Sequence, residues 1–241
     1  REAALPGKEL SDLIEKTSFA MASQDVRYYL NGILLEVSPS QINVVATDGH
    51  RLAWSSCKIK TDFTDEKIII PRKSALELQK LLNLYPENVN IAFNSNQLKV
   101  FSDEYTFISK LIEGSYPDYE KVFPKGTEQK LKANKSLVQT ALNRAAVLSN
   151  EKYRGVKFIL EKDNLKICAN NPSKESAEEE VLVEYSGDSF EIGFNISYVQ
   201  ESLSAISNNE VEFVFFGSEN SCLVKNIDDE SLIHVIMPMR L

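Results

Sequence analysis

Apolar positions along the chain switch repeatedly between two periods. Leu10, Leu13, Ile14, Thr17 and Met21 recur at helical spacing, and this predicts an amphipathic helix near the start. Short, mostly apolar runs then predict strands at 32–37 and 42–46, followed by a turn at Thr47, Asp48 and Gly49. A strand at 67–70, a helix from 73 to about 82, and strands at 89–93, 97–101 and 105–111 complete the first half.

The second half follows the same order. Leu137, Val138, Ala141, Leu142, Ala145 and Leu148 predict a helix over about 135–149. Gly155 answers Gly32 and Leu165 answers Ile42, both at an offset of 123 residues; Phe194 answers Pro71 at that offset, and Val211 answers Val89 at 122. A last strand is expected at 231–237. Internal repetition of this kind marks a duplicated unit. The expected organisation is one domain over 1–122, a Pro- and Gly-bearing linker over 123–130, and a second domain over 131–241. The expected class is α+β, with two helices per domain on antiparallel sheets.

Composition adds limits. At 241 residues and 43% hydrophobic, the chain can fill two cores. Its net charge of -8 excludes a uniformly basic coat, but the distribution is uneven. Residues 125–157 hold eight Lys and Arg against Glu128 and Glu151, a local +6, and the predicted helix inside that segment has no acid. Acids gather at Glu175, Glu178, Glu179 and Glu180, and again at Asp228, Asp229 and Glu230. A basic surface of this kind can meet phosphates, though surface charge variation alone also produces such runs. The apolar runs are too short to cross a bilayer, and no signal-peptide pattern is present. Cys57, Cys168 and Cys222 are isolated from one another, and the two histidines, His50 and His234, have no nearby cysteine. These spacings argue against disulfides and a metal site, and they suit a reducing, cytoplasmic setting.

Two segments concentrate polar or unusual chemistry. Ala46-Thr47-Asp48-Gly49-His50-Arg51-Leu52 is first a tight turn, and Asp48 with His50 could be written as an acid/base pair. No nucleophile or nucleotide-binding motif accompanies them, so a small hydrolase is the weaker reading. The ending Val235-Ile236-Met237-Pro238-Met239-Arg240-Leu241 is apolar and Met-rich, which suits either a last core strand or a pocket that adapts to several partners.

Several stretches together resemble the bacterial DNA polymerase III beta subunit family, the replicative sliding clamps, of the gammaproteobacterial type. They are Gln24-Asp25-Val26-Arg27-Tyr28-Tyr29-Leu30-Asn31-Gly32, the 46–53 turn, Pro71-Arg72-Lys73, Tyr116-Pro117-Asp118-Tyr119, Leu148-Ser149-Asn150-Glu151-Lys152 and Met237-Pro238-Met239-Arg240-Leu241. The resemblance covers the whole chain but only the second and third of the family's three domains. It implies two tandem copies of the DNA-clamp fold, sheets outside and helices toward DNA, in a non-catalytic processivity factor without a cofactor. In the family, two three-domain subunits close head to tail around duplex DNA. Ring closure by these 241 residues alone is therefore doubtful, and they are expected to be monomeric.

The resemblance also implies roles for single residues. A pocket between the second and third domains takes a short motif rich in Gln, Leu and Phe from the polymerase alpha subunit, the clamp loader and other client proteins. The first domain here would contribute Leu30, Thr47, Gly49, His50, Arg51, Leu52, Pro117, Lys121 (often Arg in relatives) and Val122. The second would contribute Asn195, Tyr198, Ser221, Val235, Met237, Pro238, Met239, Arg240 and Leu241. DNA-facing positions would be Gln24, Arg27, Tyr28, Tyr29, Arg72, Lys73, Arg154 and Lys157. The dimer interface would use Val147, Leu148, Glu175, Glu178 and Glu179. No catalytic or metal-binding residue is implied. A stand-alone nucleic-acid-binding module is the other alternative.

Overall fold

The computed structural model describes residues 2–227 and 229–241, with Glu2 described by its backbone alone. Arg1, and Asp228 of the acidic cluster named above, lie outside the described residues. The chain divides into two compact units, 1–119 and 120–241.

The first unit runs β1 (Glu2–Pro6), α1 (Gly7–Ser18), β2 (Gly32–Val37), β3 (Gln41–Thr47), β4 (Arg51–Lys58), β5 (Glu66–Pro71), α2 (Arg72–Leu84), β6 (Asn88–Phe93), β7 (Gln97–Phe101) and β8 (Thr106–Lys110). Strands β1, β6, β7 and β8 pair antiparallel in that order. Strands β4, β3, β2 and β5 do likewise. Leu10 and Ile14 of α1, Ala75, Leu78 and Leu82 of α2, and Ile33, Val44, Ile91 and Val100 of the strands share one buried cluster. The apolar runs read in β2 and β3 thus belong to a sheet covered by two helices.

The second unit runs β9 (Gln129–Asn134), α3 (Lys135–Val147), β10 (Gly155–Glu161), β11 (Asn164–Asn170), β12 (Ser176–Leu182), β13 (Glu184–Tyr185), β14 (Phe190–Asn195), α4 (Ile196–Ala205), β15 (Glu210–Phe215), β16 (Cys222–Asn226) and β17 (Leu232–Ile236). Its pairing repeats that of the first unit. Strands β9, β15, β16 and β17 pair in that order, as do β12, β11, β10 and β14. The short β13 is an addition, pairing with β9. Val138, Leu142, Val199 and Leu203 of the helices meet Phe158, Ile167, Phe194 and Phe213 in the core.

Three expectations change. The first helix ends at Ser18, so Met21 lies beyond it, yet Met21 remains 3% exposed and packs into the same core. The helix expected to reach 149 ends at Val147; the Leu148 amide closes its last turn on the Ala145 carbonyl. The segment read as a linker over 123–130 gives Gln129 and Lys130 to β9, because their backbones pair with Phe215 and Val214.

Candidate binding site

The turn after β3 is built from its own polar groups. Thr47 Oγ1 donates to the Arg51 carbonyl at 2.5 Å and accepts from the Gly49 amide at 3.1 Å. Asp48 Oδ1 accepts from the amides of His50 and Arg51 at 2.9 and 3.1 Å, and Asp48 Oδ2 takes the Arg51 Nε at 3.1 Å. Arg51 continues inward, where Nη2 donates to the Phe19 carbonyl at 2.8 Å and the guanidinium lies over the Phe19 ring. The chain reverses through Gly49 at φ +91°, a conformation a side chain strains. Asp48 is therefore a turn cap whose acceptors are occupied by amides and a guanidinium. It meets His50 through the backbone amide, and this arrangement speaks against an acid/base pair.

Beside this turn, Gln24 stands at φ +59° and opens a loop that ends in a 3-10 turn over Tyr28–Leu30. Tyr28 is 57% exposed, and its ring meets that of Tyr29 edge-on, with centroids 5.8 Å apart. Arg72, the first residue of α2, donates its amide to the Asn31 carbonyl at 2.9 Å and its Nη1 to the Met21 carbonyl at 3.0 Å. The start of α2 is thus fastened to both ends of this loop, and Lys73, next along the helix, is exposed. Leu30 and Leu52 are buried beneath the loop and turn, and Pro117 is exposed.

In the second unit, Asn195 is the cap of α4, its Oδ1 accepting from the Ser197 amide at 2.9 Å, and Tyr198 packs half-buried against the core. Lys121 and Val122 lie in a 3-10 turn, Ser221 just precedes β16, and Val235 is buried within β17. The last residues, from Met237 onward, turn back over the sheet. The Met239 amide donates to the Gly193 carbonyl at 2.9 Å. A Cβ on Gly193 would lie 2.4 Å from the Met239 carbonyl oxygen, and one on Gly155 would lie 2.4 Å from Leu241 Cδ2. Two glycines on β10 and β14 therefore make the floor on which the tail rests. Grooves of about 610 and 620 Å³ flank the tail, both bordered by Lys157, Met239, Arg240 and Leu241.

The expected DNA-facing pair of this unit separates. Arg154 sits at the carboxyl end of α3, with Nη1 3.2 Å from Ser149 Oγ and 3.4 Å from the Ala146 carbonyl. Lys157 alternates with the buried Val156 and Phe158 of β10, so it leaves the sheet on the face away from α3 and α4. Its Nζ pairs with Glu191 at 2.8 Å, beside the tail. Lys157 thus belongs with the tail grooves, and its place on a helix-lined surface is corrected.

Of the residues expected at a dimer interface, Val147 is 80% exposed at the end of α3 and Leu148 is half-buried. Glu178 pairs with Lys166 at 2.9 Å and Glu179 with Arg144 at 2.7 Å, both from β12, the outermost strand of its sheet, while Glu175 accepts from Asn171 Nδ2 at 2.6 Å.

The three thiols are held in their protonated form. Burial first, then the Glu9 carboxylate, pushes the Cys57 thiol up to about 11, and burial raises Cys222 and Cys168 as well. Among the described residues no group of three or more His, Cys, Asp and Glu is placed to hold a metal ion, and no helix is long and apolar enough to cross a membrane.

A duplicated α+β unit thus carries a capped turn and a Met-bearing tail. Comparison with known proteins gives it a family. Residues 4–118 match the DNA polymerase III beta subunit central domain, and residues 120–240 match the C-terminal domain of the same subunit. The beta sliding clamp of Pseudomonas aeruginosa is 47% identical over 234 residues, covering 97% of this chain and 64% of that relative. The Vibrio cholerae beta sliding clamp is 42% identical over 240 residues, covering 100% and 66%. A crystal structure of the Pseudomonas aeruginosa DNA polymerase sliding clamp with ligand superposes with a TM-score of 0.97 at 45% identity, covering all of this chain and 66% of that one. Another from the same organism, bound to griselimycin, gives 0.95 at 44%, again covering 100% and 66%. The chain belongs to the DNA polymerase III beta subunit family. It carries two tandem clamp domains and spans about two thirds of the length of these relatives.

The sequence reading did not single out Asp25 or Asn31 as supports of the loop, nor Gly155 and Gly193 as the floor for the tail. The two glycines left no local signal, because they act on residues tens of positions away.

Proposed function

We propose that this chain is the client-binding part of a sliding clamp, a non-catalytic processivity factor that tethers the replicative polymerase to duplex DNA. The observation that carries the reading is the tandem repetition of one clamp unit in a member of this family. Helices α1 to α4 face the DNA in this reading. Gln24, Arg27, Tyr28, Tyr29, Arg72, Lys73 and Arg154 touch phosphates loosely, as a sliding contact requires. A ring needs the further domain present in the longer relatives, and Val147, Leu148, Glu175, Glu178 and Glu179 then meet the partner subunit. The setting is cytoplasmic, and ATP hydrolysis falls to the clamp loader.

Client proteins bind by a short motif rich in Gln, Leu and Phe. From the first unit the reading uses Leu30, Thr47, Gly49, His50, Arg51, Leu52 and Pro117. From the second it uses Lys121, Val122, Asn195, Tyr198, Ser221, Val235 and the tail from Met237 to Leu241. Each buried Leu or Phe of the client contributes at most roughly 1.5–3 kcal/mol before ordering costs. Affinity should accordingly be micromolar, which suits a platform shared by several clients.

Fluorescence anisotropy with a labelled client-motif peptide tests this. Met239→Ala, or removal of Arg240 and Leu241, should weaken binding about tenfold or more, in line with the loss of one buried apolar side chain. Intact binding in both variants, or none to the parent chain at high micromolar peptide, refutes the pocket. The hydrolase reading would require turnover that His50→Ala abolishes, and the occupied acceptors of Asp48 argue against it.

A further inference from the structure

Arg27 was read as a contact for DNA, but its hydrogen bonds run to protein. Its Nε donates to Asp25 Oδ1 at 3.0 Å and its Nη2 to Asp25 Oδ2 at 2.8 Å, a two-pronged pairing. The Arg27 amide also donates to Asp25 Oδ1, at 2.8 Å. Asp25 is fixed in turn by Asn31, whose Oδ1 accepts the Asp25 amide and whose Nδ2 donates to the Asp25 carbonyl, both at 2.9 Å. From this anchored position Arg27 Nη2 reaches across to the Asp48 carbonyl at 3.2 Å. The guanidinium lies against Gly49, where an added Cβ would stand 3.0 Å from both Nη atoms.

We infer that Arg27 is a positioning residue, a latch that fastens the loop over 24–31 to the turn over 47–51 and so presets that turn for its partner. The inference deepens the proposed function and rests on it for the identity of that partner. The latch bonds the turn's backbone at the Asp48 carbonyl, which precedes Gly49, the residue with the least intrinsic preference for one conformation. Holding a glycine turn in advance removes part of the ordering cost of binding. Asp25 and Arg27 are 21% and 46% exposed in their side chains, so the latch is a modest one that a ligand or solvent can open. A phosphate arriving at the loop would compete with Asp25 for the guanidinium, which makes the latch a point where DNA contact and turn geometry meet.

Amide hydrogen exchange on the full chain tests this, read at Gly49, His50 and Arg51. Arg27→Ala, Asp25→Asn and Arg27→Lys should each speed exchange there about threefold, within the range of exposed ion pairs. Lysine is included because one ammonium cannot span the carboxylate and the Asp48 carbonyl together. The Asp25→Asn/Arg27→Ala double variant should exchange no faster than Arg27→Ala alone, since both changes break one device. Unchanged exchange at the turn, or a rise spread over the whole unit, overturns the latch. Client-peptide affinity should fall by a similar factor. If the turn loosens as expected while the parent chain binds no peptide, the latch stands and the functional reading fails.

Discussion

The Asp25 carboxyl is held at about 2, first by the hydrogen bond from the Arg27 side chain and then by that from the Arg27 amide, with burial opposing. Its folded value lies below the ordinary 3.8, so the stabilisation it provides is fully present above 3.8 and is lost as pH falls through about 2. Across the physiological range Asp25 stays ionised and the Arg27 pairing is independent of pH. NMR titration of the Asp25 carboxyl carbon should give a midpoint near 2 in the parent chain and a return toward 3.8 in Arg27→Ala. A midpoint already near 3.8 in the parent would mean that the two groups do not pair in solution. The same residue explains a limit of sequence reading. Asp25 and Arg27 are two positions apart and look like surface charges; only the fold brings the Asp48 carbonyl, twenty-one residues on from Arg27, within reach.

Helix starts distinguish the two units. Both helices of the second unit begin at asparagine: Asn134 Oδ1 accepts from the Leu137 amide at 3.2 Å, and Asn195 Oδ1 from the Ser197 amide at 2.9 Å. Both helices of the first unit begin after proline, at Pro6 and Pro71, with no side-chain cap. Asn134→Ala and Asn195→Ala should each cost about 1 kcal/mol in urea unfolding, whereas Asn195→Asp, which keeps an acceptor, should not. If Asn195→Asp also retains peptide binding, capping is the residue's main role; if binding drops while stability holds, Asn195 touches the client directly. Equal stability of all three variants would remove the capping argument.

Strand legibility also varied for physical reasons. Strands β10 and β11 alternate cleanly between buried and half-buried positions, whereas β2 and β3 were readable as short apolar runs because most of their positions are buried. Strand β12, Ser-Ala-Glu-Glu-Glu-Val-Leu, was not. An outermost strand carries a row of acids at little cost, and acids depress strand propensity. Strand β4 escaped because Trp54, Ser55 and Ser56 blur its alternation.

At the scale of the molecule, the repeat was legible because it does not depend on any one element. A constant offset survives unclear strands, and apart from the added β13 the two pairing orders match strand for strand. The tail was legible as unusual but not as a partner for two glycines, since Gly155 and Gly193 read simply as strand residues. Charge was legible in sum and misleading in place: Lys157 counted toward the basic segment, yet it pairs with Glu191 on the sheet face away from the helices. These 241 residues are expected to sediment as a monomer at micromolar concentration and to be lost from circular DNA. A tight closed dimer in analytical ultracentrifugation would contradict the assignment of Val147, Leu148 and the β12 acids to a surface that needs a further domain opposite it.

The bond that starts α2, from the Arg72 amide to the Asn31 carbonyl at 2.9 Å, has its counterpart at α4, from the Ile196 amide to the Arg154 carbonyl at 2.7 Å. Neither uses a side chain, so substitutions can accumulate at all four positions without disturbing it, and the halves can drift apart in sequence while keeping one plan. It also inverts a common rule of protein engineering. Proline at the first position of a helix is ordinarily a safe stabilising choice. At 72 and 196 it would delete a donor that both copies have kept.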